Sequence, residues 1–446
     1  MKRQYFGTDG VRGPYGTAQM NEALAWRLGA GAASYIKMSP DFKFTRVFIG
    51  RDTRSSGPSL EAALAAGLEA EGLVPVSLGV VPTPAVSMLT RREGAALGVV
   101  ITASHNPASD NGIKFFGPGG VKFSDQDEVR IEMFMPDESR PPLAAKPPLA
   151  EGLARYIDTA ATILPIGSLH GWKIVVDAAN GSAFRSTPGV LQRFGAGLTL
   201  IGVNPDGANI NEGCGSQHPE ALSAAVVANG ARLGIAHDGD ADRCVLCDET
   251  GVVLDGDELL TILALHALSR GTLVKNTLVV TVQSNLGVDA AIRAAGGQVC
   301  RSAVGDRYVI ERMVAEGATL GGECSGHVIC SEISPTGDGL VAALKVIEVM
   351  LATGQPLSEL RKQLRKFPQR TAALKVREKK PVNSLAGLSA AIAAAEASLG
   401  AEGRVLVRYS GTEPKLRLLV EGPSDAVVEG HMARLEAAVR AEIAVL

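Results

Sequence analysis

Short continuous apolar runs and stretches of helical periodicity alternate along most of this chain. Residues 44–50 form an apolar run, and Leu60, Leu64 and Leu68 mark a helical stripe within 57–72. Another apolar run starts at Leu73, and 97–102 has the composition of a buried strand. Gly117-Pro118-Gly119-Gly120 separates 113–116 from 121–123 and predicts a hairpin-like turn. Pro136, Pro141, Pro142, Pro147 and Pro148 predict a segment that continues neither helix nor strand, marking a boundary crossing. The alternation resumes with strand patterns at 172–177 and 198–203. Next come a helix at 256–269, a strand at 278–281 and helices at 306–316 and 338–351. Strands alternating with helices argue for parallel sheets with helices on their faces. After Phe367-Pro368 the pattern changes to a helix at 385–399, strands at 404–409 and 416–421, and a closing helix at 424–443.

A pentapeptide frame, Gly-Ala-x-Leu-Gly, occurs at 94–98, 230–234 and 317–321, and each copy runs into a polar loop. One supersecondary unit used three times explains that recurrence. The predicted class is therefore α/β: three related domains with mixed or parallel sheets, at 1–150, 151–255 and 256–368. A smaller α+β domain follows at 369–446. A length of 446 residues agrees with three domains or more.

Composition narrows the functional classes. A net charge of −3 gives no electrostatic footprint for nucleic acid, so anionic substrates need local Arg and Lys clusters. No uncharged apolar run reaches the ~18 residues of a spanning helix, and the first residues lack a signal-peptide pattern. Six cysteines in a chain this long do not make a disulfide framework, which points to a reducing cytoplasm. Cys244 and Cys247 read as buried thiols on a short strand rather than a metal or redox pair, since residues three apart face opposite ways.

Three loops carry the chemistry. Ser104, in Thr102-Ala103-Ser104-His105-Asn106-Pro107, follows an apolar strand and so sits where α/β proteins place their sites. Taken alone it reads as a capping serine, and the Gly-x-Ser-x-Gly of a serine hydrolase is absent. Asp238, Asp240 and Asp242 offer three carboxylates to a hard divalent cation. Arg243 stands where an EF-hand requires glycine, which excludes that motif. Glu323, Cys324, Ser325 and His327 form the third loop. Downstream, Arg408, Ser410, Gly411, Thr412 and Arg417 have the composition of a phosphate cradle, or of a plain hairpin turn with flanking arginines. Arg12 in 6–13, and the arginines of Gly50-Arg51-Asp52-Thr53-Arg54, read as solvated turns or as anion contacts. Of these, Arg12 is the better candidate for a transferring phosphoryl group.

Five motifs in this order, near residues 6, 104, 238, 323 and 410, resemble the α-D-phosphohexomutase superfamily over essentially the whole chain. The opening Phe-Gly-Thr-Asp-Gly-Val-Arg-Gly points to its glucosamine branch, while Cys324 stands where that branch usually carries Gln. The resemblance implies four domains around a central cleft and a phosphoserine enzyme that needs Mg²⁺. It implies Ser104 as the phosphorylated residue, with Asp238, Asp240 and Asp242 holding Mg²⁺ together with its phosphate. Glu323 and Ser325 would contact the sugar, and Lys114 and His327 would be the acid/base partners. Arg408, Ser410, Gly411, Thr412 and Arg417 would hold the non-reacting phosphate. The implied reaction interconverts glucosamine 6-phosphate and glucosamine 1-phosphate through a 1,6-bisphosphate, feeding UDP-N-acetylglucosamine synthesis. Glucosamine or glucose 1,6-bisphosphate would act as activator. Glucose or mannose phosphates are the alternative substrates; a phosphatase and a silent sugar-phosphate sensor are the competing classes. The expected state is a cytoplasmic monomer or homodimer with no nucleic-acid or membrane partner.

Overall fold

The computed structural model describes all residues except 1, 2, 8, 41, 141 and 411–413. It divides into two compact units, one comprising Met1–Gln283 with Ala295–Gln363, the other Ser284–Ala294 with Leu364–Leu446.

The first unit holds three sheets. Strands β1 (Val11–Pro14), β2 (Arg46–Arg51), β3 (Val74–Val80), β4 (Leu97–Ile101) and β5 (Asp110–Phe116) pair in the order β1-β5-β4-β2-β3. Next come β6 (Lys173–Asp177), β7 (Gly197–Ile201), β8 (Leu233–His237), β9 (Cys244–Asp248) and β10 (Val253–Leu254), in the order β10-β9-β8-β6-β7. The third sheet joins β11 (Thr277–Thr281), β12 (Gln298–Ser302), β13 (Leu320–Gly322) and β14 (Val328–Cys330) in the order β12-β11-β13-β14. In each sheet three parallel strands are followed by one antiparallel strand that folds back along the third. The three sheets thus repeat one topology, as the pentapeptide frame predicts.

The frame itself has a physical reading. Gly94, Gly230 and Gly317 end the helices Thr83–Glu93, Glu220–Asn229 and Asp306–Glu316 with φ of 64°, 56° and 66°, a conformation that favours glycine. Four residues on, Gly98, Gly234 and Gly321 lie under the same helices, where a Cβ would run into Thr90, Val226 and Met313. The frame is a helix stop followed by a strand start that lets the helix pack close. β4 and β8 are buried along their whole length, which is why they read as unbroken apolar runs.

The turn after β5 is present as Gly117–Val121 hydrogen bonds and a single bridge, Phe116 to Lys122, rather than a full hairpin. The described residues of the proline-rich segment form no helix, and its end at Leu149 bridges Ser77 of β3. In the second unit, β15 (Gln369–Lys375), β16 (Arg404–Tyr409) and β17 (Lys415–Glu421) form an antiparallel sheet in the order β15-β17-β16. Leu416, Leu418 and Val420 pack there with Leu388 and Leu435 from the helices Ala386–Leu399 and Asp425–Glu442. Among the described residues no single helix is long and apolar enough to cross a membrane.

Candidate active site

The three repeats deliver their loops from equivalent places, the carboxyl ends of β4, β8 and β13, where sites of α/β sheets gather. Ser104, directly beyond β4, is buried and takes a left-handed backbone with φ of 52°, unusual for a residue with a side chain. It is no helix cap. Its Oγ donates to Asp238 Oδ2 at 2.6 Å, and its backbone N–H donates to Thr102 Oγ1 at 2.9 Å. His105 Nδ1 lies 3.3 Å from the same Oγ. Burial, with Arg243 and Arg12 nearby, lowers the pKa of His105 to about 4, so the ring is neutral.

Asp238, Asp240 and Asp242 are buried, and each presents a ligand oxygen within 4.8 Å of the others. Thr83 Oγ1 donates to Asp240 Oδ2 at 2.6 Å, and the amide of Gly339 donates to the Ala241 carbonyl at 3.1 Å, fixing the loop from two helix starts. Lys114, on β5, donates to Asp240 at 2.8 Å and Asp242 at 3.4 Å, and also pairs with Asp9 at 3.1 Å. Burial disfavours its charge, but Asp240, Asp9 and Asp242 outweigh burial and raise its pKa. For Asp238, burial and then the charges of Asp242 and Asp240 raise the carboxyl pKa. Asp240 Oδ1 and Asp242 Oδ1 are buried without a hydrogen-bond partner. Three converging carboxylates, with two oxygens that make no hydrogen bond, suit an oxygen-seeking divalent cation.

Further charges close the site. Arg12 pairs with Asp9 and reaches the Ala103 carbonyl at 3.4 Å, beside Ser104. Lys122 joins Asp9 at 2.6 Å and Asp306. His327 Nδ1 lies 3.7 Å from Asp242 and Nε2 lies 3.5 Å from Asp306. The Gly337 amide donates to Nε2 at 3.1 Å, which places the ring proton on Nδ1, towards Asp242. Burial works against a charged ring, but Asp242 and Asp306 overcome it and raise the pKa of His327. Glu323 Oε1 accepts from the Gly305 amide at 3.0 Å, and Ser325 is half-buried in the same turn. Cys324 is partly buried; burial first, then Asp257 and Asp255, push its thiol up to about 12, leaving it a poor nucleophile.

The structure thus brings Arg12, Ser104, Lys114, the three aspartates and His327 into one charged pocket. Sequence reasoning assigned no role to Asp9, Lys122, Asp306 or Arg243, which complete it. Arg243, half-buried 3.8 Å from Asp242, directly follows the aspartates and could have been read from that position. Asp9 could have been read from its place in the 6–13 motif beside Arg12, whereas Lys122 carries no such local signal. Arg54, for which the sequence left a solvated turn or an anion contact open, is fully buried.

In the second unit, Arg408 and Arg417 are cross-strand neighbours in the β16–β17 pair. Like charges directly opposite are unfavourable alone and suit an anion between them. Ser410 N–H donates to the Lys415 carbonyl at 2.8 Å, and Lys379 Nζ reaches the Ser410 carbonyl at 2.7 Å. Gly411 and Thr412 lie outside the described residues.

Three repeated α/β sheets delivering a serine, an aspartate triad and a loop bearing Glu323 and His327 define a class. The chain belongs to the phosphoglucomutase/phosphomannomutase family, whose alpha/beta/alpha domains I, II and III match residues 3–141, 154–251 and 255–367. The C-terminal domain of that family matches 372–438. Within it, the chain is 46% identical to a phosphoglucosamine mutase of Paracoccus denitrificans over 98% of this chain and 99% of that one. It is 48% identical to a phosphoglucosamine mutase of Moorella thermoacetica, covering 97% and 98%. Among solved structures, a phosphoglucomutase/phosphomannomutase family protein of Burkholderia thailandensis superposes with a TM-score of 0.82 at 25% identity, over 99% and 98% of the two chains. The fold is also shared with Aspergillus fumigatus N-acetylphosphoglucosamine mutase, solved with GlcNAc-6P and magnesium, at a TM-score of 0.65 and 17% identity, covering 99% and 96%.

Proposed function

We propose that this chain is an isomerase that interconverts glucosamine 6-phosphate and glucosamine 1-phosphate through a phosphoserine at Ser104. The observation that carries the reading is the 2.6 Å contact between Ser104 Oγ and the aspartate triad, in a chain so close to phosphoglucosamine mutases along its length. Asp238, Asp240 and Asp242 would hold Mg²⁺, which supplies charge stabilisation to the phosphoryl group. In this pocket Asp9, Asp240, Asp242 and Asp306 face Arg12, Lys114, Lys122 and Arg243, so the standing charges nearly cancel. A phosphoserine adds about −1.5 to −2, which a divalent cation offsets.

The residues divide the work accordingly. Ser104 gives its phosphoryl group to O1 of the 6-phosphate and later recovers one from O6, after the 1,6-bisphosphate has turned over. Arg12 stabilises charge on the group in transit, as guanidinium groups do in phosphoryl transfer. Lys114 and His327 exchange protons with the sugar hydroxyls. The raised pKa of Lys114 keeps it cationic beside the aspartates. His327, whose pKa Asp242 and Asp306 raise against burial, is a stronger base than an ordinary imidazole and the group suited to accept a proton near neutral pH. Glu323 and Ser325 take the sugar hydroxyls; Arg408, Ser410, Gly411, Thr412 and Arg417 take the phosphate that is not reacting. Glucosamine or glucose 1,6-bisphosphate would reload a serine that has lost its phosphate. The product would feed UDP-N-acetylglucosamine synthesis, a cytoplasmic process, in a four-domain enzyme that is monomeric or homodimeric.

The test is ³¹P NMR of phosphorylated protein with Mg²⁺ and glucosamine 6-phosphate, with glucose and mannose 6-phosphates in parallel. The reading predicts fastest isomerisation of the amino sugar. Preference for a neutral sugar would assign the chain to the phosphoglucomutase or phosphomannomutase branch.

A further inference from the structure

Arg54 heads the largest side chains withdrawn from solvent, yet it lies in a loop after β2 and contributes to no apolar core. Its Nε donates to Asp52 Oδ2 at 2.9 Å. Nη1 donates to the Pro107 carbonyl and, at 2.9 Å, to that of Asp110. Nη2 donates to the carbonyls of Ser104 at 3.1 Å and Asn106 at 2.8 Å. A guanidinium has five N–H donors in a rigid fork, and here all five are used, four of them on the main chain of the segment that begins at Ser104.

Asp52 closes a ring around the serine. Its Oδ2 also accepts from Thr102 Oγ1 at 2.7 Å, and Thr102 Oγ1 accepts the Ser104 N–H at 2.9 Å. Both main-chain polar groups of Ser104 are thereby tied to one buried pair: the N–H through Thr102 to Asp52, the carbonyl directly to Arg54. Asn211 adds a second hold, its Nδ2 donating to the carbonyls of Ser104 at 2.9 Å and Asn106 at 3.1 Å. The residue so held is the one with φ of 52°, a conformation that serine disfavours and that aims its Oγ at Asp238.

We infer that Arg54, braced by Asp52 and assisted by Asn211, is a positioning residue that holds Ser104 in its left-handed conformation and so sets the line of phosphoryl transfer. The inference rests on the phosphoserine reading above. None of these hydrogen bonds of Arg54 goes to the Ser104 Oγ or to Asp238, Asp240 or Asp242, so its action passes through the backbone of Ser104.

Two variants of the full-length protein test this. Arg54→Lys keeps the charge but replaces the planar fork with a point donor of three N–H bonds. Asn211→Gly removes the amide while tolerating the native φ of 61°. For each, kcat and KM on glucosamine 6-phosphate, the thermal melt, and amide hydrogen exchange across 104–110 are measured on phosphorylated, Mg²⁺-loaded protein. The expected result is a fall in kcat of about 10- to 100-fold with KM changed less than about twofold. Exchange at 104–110 should quicken, and the double variant should lose less than the product of the single losses, because both side chains hold one carbonyl. A wild-type kcat per folded molecule in both variants, with unaltered exchange, would overturn it. Should Arg54→Lys fail to fold, Asn211→Gly decides: lowered kcat with an unchanged melt supports the role, and an unchanged kcat overturns it. A wild-type protein with no turnover would defeat the phosphoserine reading instead, and the exchange of 104–110 would then decide the clamp alone.

Discussion

Asp338 caps the helix Gly339–Thr353, whose first amide braces the aspartate loop, and it does so out of reach of solvent. Its Oδ1 accepts from Val341 N–H at 3.0 Å and from the Tyr156 hydroxyl at 2.7 Å, while Oδ2 has no hydrogen-bond partner. Burial outweighs these bonds and raises the carboxyl pKa from 3.8 to about 6. The folded state therefore binds this proton more tightly than the unfolded state. Stability falls as pH rises through that window and stays lower above it. A shift of about two units corresponds to roughly 3 kcal/mol in full, of which about 2 kcal/mol develops between about pH 4.5 and pH 8. Asp338→Asn removes the titration and keeps an oxygen for the cap. The expected outcome is that the stability of the variant relative to wild type improves by about 2 kcal/mol from the lower pH to the higher. Urea unfolding followed by tryptophan fluorescence measures this, since Trp26 and Trp172 are both buried in the first unit. Parallel pH profiles for the two proteins would refute the reasoning.

Ser104→Ala should lower mutase turnover by roughly 10⁴-fold or more, as losses of nucleophiles do, with an unchanged thermal melt; substantial residual turnover would end the phosphoserine assignment. Asp240→Asn should weaken Mg²⁺ activation at least about tenfold, read as the midpoint of a Mg²⁺ titration of initial rates, because it neutralises one of three converging carboxylates. Lys122→Met takes their shared cation from the buried Asp306 and the half-buried Asp9, and should destabilise the first unit by about 3 kcal/mol in urea unfolding.

What the sequence reveals and what it hides follow different physics. Buried parallel strands are apolar on both faces, so β4, β8 and β11 are legible as runs, and the glycines of the repeated frame mark helix ends that only glycine fits well. β15 shows no such run: most of its residues are exposed or half-buried, and Gln369-Arg370-Thr371 has no apolar pattern to read. Ser104 and the aspartate triad are legible because their chemistry is local to one loop each. Lys122, Asp9 and Asp306 meet only after three segments far apart in sequence have folded, and nothing in the neighbours of Lys122 and Asp306 marks them. Arg54 misleads for a similar reason. Arginine beside glycine and aspartate usually means a wet turn, and only the fold supplies the four carbonyls that make its burial favourable.

The central claim is that the group transferred to the sugar is the one carried by Ser104. Protein bearing ³²P on this serine, mixed with Mg²⁺ and unlabelled glucosamine 6-phosphate and quenched within one turnover, tests it directly. The account predicts label in the sugar 1,6-bisphosphate first and in glucosamine phosphates afterwards, with little inorganic phosphate. Label that stays on the protein while glucosamine 1-phosphate accumulates, or that leaves as inorganic phosphate, would contradict it.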